Sequence, residues 1–212
     1  MAEPAVLLDD DQVVPFLRAM ELDRDALIAV VDFAESQRAL CTGNDVRGFD
    51  LITVHDKAAR GLRETFCGPR WERDEVDNQA GIRNPHLKIR IIPCNFDEHA
   101  GNPDRQPTNR VIKGAASSSK TWVNQTGWIP GLPIPQPPED DYRTWVLGIH
   151  ADDNRPIGAE LSHPLGFSGG RYSNFVPRVI LLWGPRPPAG ASRLRPDREG
   201  PVEDVDIAIR RR

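Results

Sequence analysis

Cysteine is scarce in this chain: Cys41, Cys67 and Cys94 are the three in 212 residues. Their odd number and wide spacing exclude a disulfide framework, a CxxC redox pair and a zinc ligand set, and leave reduced thiols as the expectation. Long apolar runs are lacking too. The longest, residues 27–31 and 179–183, fall far short of the ~20 residues that cross a bilayer, so no membrane partner is expected. The opening residues, MAEPAVLLDDD, are acidic where a secretion signal is basic. A cytoplasmic location is the resulting expectation.

A basic excess is missing as well. The formal net charge is −4, which argues against bulk affinity for nucleic acid. The charge is uneven: residues 1–100 carry 19 acidic and 12 basic side chains, residues 101–212 carry 12 and 15. Any nucleic-acid contact is therefore expected to be local and salt-sensitive. Apolar residues make up 39% of the chain, against ~45–50% in an ordinary domain. With 20 prolines and 17 glycines, the difference is read as loop. GxSxG, HExxH and the P-loop pattern are all absent from the sequence, and with them three recognisable routes to catalysis. There is no internal repeat and no heptad.

What is present is an order of elements. Residues 12–20 read as a short helix entered through Pro15. Residues 24–40 read as a longer one, with Asp23 as N-cap and Leu27, Val30, Val31 and Ala34 as its apolar stripe. A third helix is predicted over 54–67, opened by a Thr53/Asp56 capping box, with Ala58, Ala59, Leu62 and Phe66 on its apolar face. Residues 70–85 are charged and aperiodic, and read as a surface loop.

Strands are predicted over 86–92 (ended by Pro93), 110–115, 145–151, 157–162, 178–183 and 205–210. The fifth of these reads as central, because both its faces are apolar. The last reads as an edge. Between them lie a polar loop over 93–110, a polar turn at 117–121, a polyproline-like stretch at 129–138, a glycine-rich turn at 166–170 and a Pro/Gly/Arg loop at 184–201. The fold class expected is α+β, in one domain over 1–212. About three N-terminal helices (1–68) pack on a mostly antiparallel sheet of five or six strands (86–212), with long Pro/Gly-rich loops.

Two constellations carry chemistry. Asn95, Arg105, Asn109, Arg110, Lys113 and Lys120, with Arg171 from the glycine-rich turn, supply amides and cations for an anion. Asp97 and Glu98 from the 93–121 loop, with Asp152, Asp153 and Glu160 from the 145–162 hairpin, supply carboxylates for a divalent ion or an acid/base pair. Glu160 lacks the following lysine of a nuclease-like Glu-x-Lys pattern. No ligand set for a metal is assigned, and the sequence specifies no cofactor. His55, His86, His99, His150 and His163 read as ordinary surface or core residues, and Cys94 as a buried inert thiol.

The first functional expectation is a binding module for an anionic small molecule, nucleotide or nucleic acid, or for a protein partner. A metal-dependent hydrolase or nuclease built on the carboxylates is the second. An interaction subunit of a larger complex, recognisable by exposed apolar surface, is the third.

Overall fold

The computed structural model describes residues 6–126, 141–153 and 155–184. The stretches expected at 129–138, 184–201 and 205–210 lie wholly or almost wholly outside them.

The N-terminal helices form as their periodicity implies. α1 spans Asp10–Ala19 and turns Val13 and Leu17 inward; Pro15 sits inside it rather than at its entry. α2 spans Arg24–Arg38, and the Asp23 side chain caps it by accepting from the Ala26 N–H at 2.8 Å. α3 spans Phe49–Phe66 and starts after Gly48, whose φ of 84° suits a glycine. The Thr53/Asp56 start is thus corrected: those residues lie inside the helix, which begins a full turn earlier. α2 and α3 pack closely at Gly61, where an added Cβ would stand 3.1 Å from Val30 Cγ1.

Among the described residues the sheet has seven strands, not five or six. They are β1 (Val6–Leu7), β2 (Glu72–Asp74), β3 (Gly81–Asn84), β4 (Ile89–Asn95), β5 (Arg143–Asp152), β6 (Arg155–Ser168) and β7 (Arg171–Leu182), in the order β1-β7-β6-β5-β4-β3-β2. Four neighbouring pairs are antiparallel. The β1–β7 and β4–β5 pairs are parallel, so the sheet is mixed. β7 is not central but next to the edge, where the two-residue β1 covers it at Arg178 and Val179.

Three further expectations are corrected. Residues 70–85 are not loop alone: they hold β2 and β3 around a short 3-10 turn, Val76–Asn78. Pro93 does not end β4. The Phe96 N–H donates to Ile149 O on β5, and successive amides alternate in direction. The missing donor of Pro93 therefore faces the β3 side, beyond the last β3 pairing, Ile82 with Ile91. Lastly, the strand expected at 110–115 and the turn at 117–121 give way to α4, Ala115–Thr126. Its buried face is Ser117, Lys120, Thr121 and Asn124. That is a helical period written in polar residues, invisible to a search for apolar ones.

Each face of the sheet has its own core. Ile89 and Ile91 of β4, Leu147 and Ile149 of β5, and Leu161 of β6 pack under α1, α2 and α3. Ile92, Cys94, Phe96, Val146, Tyr172 and Phe175 make the opposite core. On that side α4 and the loop of residues 96–114 cross from β4 to the parallel β5. Among the described residues, no helix is long and apolar enough to cross a membrane.

Candidate functional site

The loop of residues 96–114 leaves the sheet at the carboxyl end of β4, and by composition it would be a solvated polar stretch. Buried bonds hold it instead. Phe96 packs edge-on against Phe175, ring centroids 5.4 Å apart, in space that β5 leaves open by carrying Gly148 opposite. Glu160 accepts from the Gly101 N–H at 2.7 Å and from Arg178 Nε at 2.9 Å and Nη2 at 2.5 Å, and Ser162 Oγ donates to it at 2.5 Å. Arg178 Nη2 also donates to Asn102 O at 2.9 Å. The fully buried Asn109 donates from Nδ2 to Val111 O and Gly170 O, and accepts the Tyr172 N–H on Oδ1. Arg171 donates to Asn109 O. The Lys113 N–H reaches Gly170 O at 2.9 Å, and the Arg110 N–H reaches Asn95 O at 2.9 Å.

This scaffold places the last part of the loop beside α3, and a groove of about 560 Å³ opens between them. α3 supplies Leu51, Ile52, His55 and Ala59 to one wall; Val111 and Lys113 supply the other. Asn95 and Ala80 line the groove between them. The volume falls within the ~300–1,000 Å³ usual for small-molecule sites. Asn95 is committed, its Nδ2 donating to Leu51 O at 2.8 Å. Asp56, also on the lining, pairs with Lys57 at 2.9 Å. The half-buried Lys113 side chain has no hydrogen-bond or ion-pair partner among the described residues. Burial pushes the His55 imidazole below its usual 6.5; the neighbouring Lys113 charge pushes the same way, and Asp56 opposes. His55 is therefore a neutral ring at neutral pH, beside a Lys113 side chain that is unpaired among the described residues.

Of the residues singled out for anion binding, Asn95 and Lys113 meet in this groove, with Arg110 exposed on the same loop. Arg105 is exposed elsewhere on the loop. Asn109 and Arg171 are engaged in holding the loop. Lys120 is buried, donating to Val76 O at 2.9 Å and Gln79 Oε1 at 2.8 Å, so it ties α4 to the β2–β3 connection.

The five carboxylates do not converge. Asp97 accepts the His99 N–H in a turn, and Glu98 is exposed next to it. Asp152 and Asp153 sit at the β5–β6 hairpin end, where Asp153 pairs with Arg38 at 2.7 Å. Glu160 is fully buried with Arg178. Among the described residues, no group of three or more His, Cys, Asp or Glu could hold a metal ion. Burial pushes the Cys94 thiol up to about 11, leaving it protonated and a poor nucleophile.

Sequence reasoning missed His55, Leu51, Ile52 and Val111. One signal was legible. Leu51, Ile52, His55 and Ala59 recur at helical spacing beside the core stripe of Val54, Ala58 and Leu62, so α3 carries a second, half-apolar face. Neither protein-family models nor curated proteins nor solved structures gave a match to this chain.

Proposed function

We propose that the protein is a binding module for a small amphipathic anion, an alkyl carboxylate or alkyl phosphate, held in the α3 groove. One observation carries the reading: Lys113 brings an ammonium with no partner among the described residues into a groove whose other wall carries the aliphatic Leu51, Ile52 and Ala59 beside His55 and Asp56. An ammonium in such a position gains from an anionic hydrogen-bond partner, and Leu51, Ile52, Ala59 and Val111 shelter the alkyl part. Among the described residues no Phe, Tyr or Trp lines the groove, which favours an alkyl ligand over a stacked nucleobase.

Calorimetric titration with octanoate, octanesulfonate and 1-octanol tests it. Both anions are expected to bind the full chain, and Lys113→Ala to weaken them by at least about tenfold, the value of one charged hydrogen bond. The alcohol should be insensitive to that change. If neither anion binds, or if Lys113→Ala binds them equally well, the reading fails.

A second reading, an interaction subunit, draws support from the groove's surroundings. Ile52, on the lining, is 60% exposed; Val111 and Ile112 on the loop are 50% and 68% exposed. Apolar side chains clustered in this way suit a protein surface. Loss of a co-purifying partner in Ile52→Asp but not in Lys113→Ala would favour this reading.

A further inference from the structure

A second pocket, of about 320 Å³, lies under α1 at the opposite end of β4 from the α3 groove. Its walls are Phe16 of α1 and Met20 just after it, Trp145 of β5, His163 of β6 and Pro177 of β7, with Arg143 at the exposed start of β5. Three rings stand in a row: Phe16 and Trp145 have centroids 5.7 Å apart at 59°, Trp145 and His163 5.0 Å apart at 32°.

Two polar groups in this lining have no partner among the described residues. His163 is 9% exposed, and its Nδ1 lies 3.1 Å from Val176 O. A carbonyl only accepts, so Nδ1 carries the proton and Nε2 is left as an acceptor. Nε2 is buried and makes no hydrogen bond. Buried acceptors of that kind are rare in folded proteins and call for an explanation. The Arg143 guanidinium makes no hydrogen bond or ion pair either. A lining side chain thus carries a buried acceptor without a donor, a cation lies outside, and flat apolar surface lines the space between.

We infer that this pocket binds a small planar acid carrying a hydroxyl at the far end of its ring, of the para-hydroxybenzoate class. The ring packs among Phe16, Trp145 and Pro177, where aromatic faces favour offset or edge contacts. The hydroxyl donates to His163 Nε2, and the carboxylate pairs with the Arg143 fork. Burial holds the His163 imidazole down to about 4, so the acceptor persists at neutral pH. This site goes beyond the α3 groove and does not depend on it.

The test is calorimetric titration of the full chain with 4-hydroxybenzoate, benzoate and phenol, alongside the imidazole nitrogen resonances of His163. 4-Hydroxybenzoate is expected to bind and to shift Nε2. Benzoate, which lacks the donor, should bind at least about tenfold more weakly. Arg143→Gln should weaken 4-hydroxybenzoate by a similar factor and leave phenol unchanged. His163→Phe, which keeps a ring in place, should erase the preference for 4-hydroxybenzoate over benzoate. Lys113→Ala should change none of these affinities. The inference is overturned if 4-hydroxybenzoate fails to bind at millimolar concentration, if it binds without moving His163 Nε2, or if Arg143→Gln binds it equally well. Loss of binding in Lys113→Ala would place the ligand in the α3 groove and overturn it too.

Discussion

Glu160 and Arg178 face each other across β6 and β7 as a bidentate pair, 0% and 2% exposed, with Gly101 and Ser162 completing the carboxylate's partners. The pair ties the loop that follows β4 to the far side of the sheet. Removing one member of such a pair strands a buried charge, at a cost of about 3–5 kcal/mol. Glu160→Gln is expected to lower the unfolding free energy by that much, read as a lower urea midpoint at unchanged m value. Arg178→Met together with Glu160→Met should cost less than the two single changes added, since no charge is then left unpaired. An effect of Glu160→Gln below 1 kcal/mol would refute a structural role for the pair.

His55 and Lys113 should make anion binding in the α3 groove pH-dependent. The free imidazole is held below 6.5 by burial and by the Lys113 charge. An anion on Lys113 offsets that charge and raises the imidazole toward protonation, so binding takes up a proton. Affinity for octanesulfonate, whose own charge is constant, is expected to rise as pH falls below 6.5 and to level off once free His55 is protonated. His55→Gln should flatten the profile.

The pocket histidine has a stability signature of its own. His163 is lowered from 6.5 to about 4, chiefly by burial, with Arg143 acting in the same sense and the Val176 carbonyl against it. Its folded-state value lies below its unfolded one, so its stabilising effect is complete above pH 6.5. That effect is lost as pH falls toward 4, at up to about 1.4 kcal/mol per pH unit. Chemical denaturation across that range should show a slope that His163→Phe reduces. An unchanged slope in the variant would mean that another group is responsible.

The three thiols should react in order of exposure. Cys94 is 2% exposed and raised to about 11, whereas Cys41 and Cys67 are half-buried. Iodoacetamide at pH 8 is expected to modify Cys41 and Cys67 in the folded protein and Cys94 only after urea is added, as read by peptide mass. Early labelling of Cys94 would contradict its burial.

Local signals made part of this legible. The stripe of Leu27, Val30, Val31 and Ala34 placed α2, and Asp23 caps it as its side chain allows. The alternation around Trp145, Leu147 and Ile149 placed β5, and the Asp152-Asp153 turn placed its hairpin with β6. β2 and β3 escaped because three- and four-residue strands rich in charge carry too little alternation to read. α4 escaped because its inward residues are polar, three of them answered by partners far away in sequence: Gln79 for Ser117, Val76 and Gln79 for Lys120, and Thr144 and Pro164 for Asn124; the fourth, Thr121, donates to Ser117 O within the helix.

The sequence by itself determined that this is an α+β chain with three helices leading, few thiols and no long apolar span, because those follow from composition and from periods that repeat within one element. It also marked residues 95–120 as unusual and Lys113 as a cation of interest. Only the tertiary structure decided what each polar residue does. It closed Glu160 onto Arg178, spent Asn109, Arg171 and Lys120 on holding the loop and α4, and scattered the carboxylates. It left Lys113 beside His55 in one groove and His163 near Arg143 in another. The physical reason is that a polar group's role depends on whether folding supplies its partner, and most of these partners come from a different part of the chain.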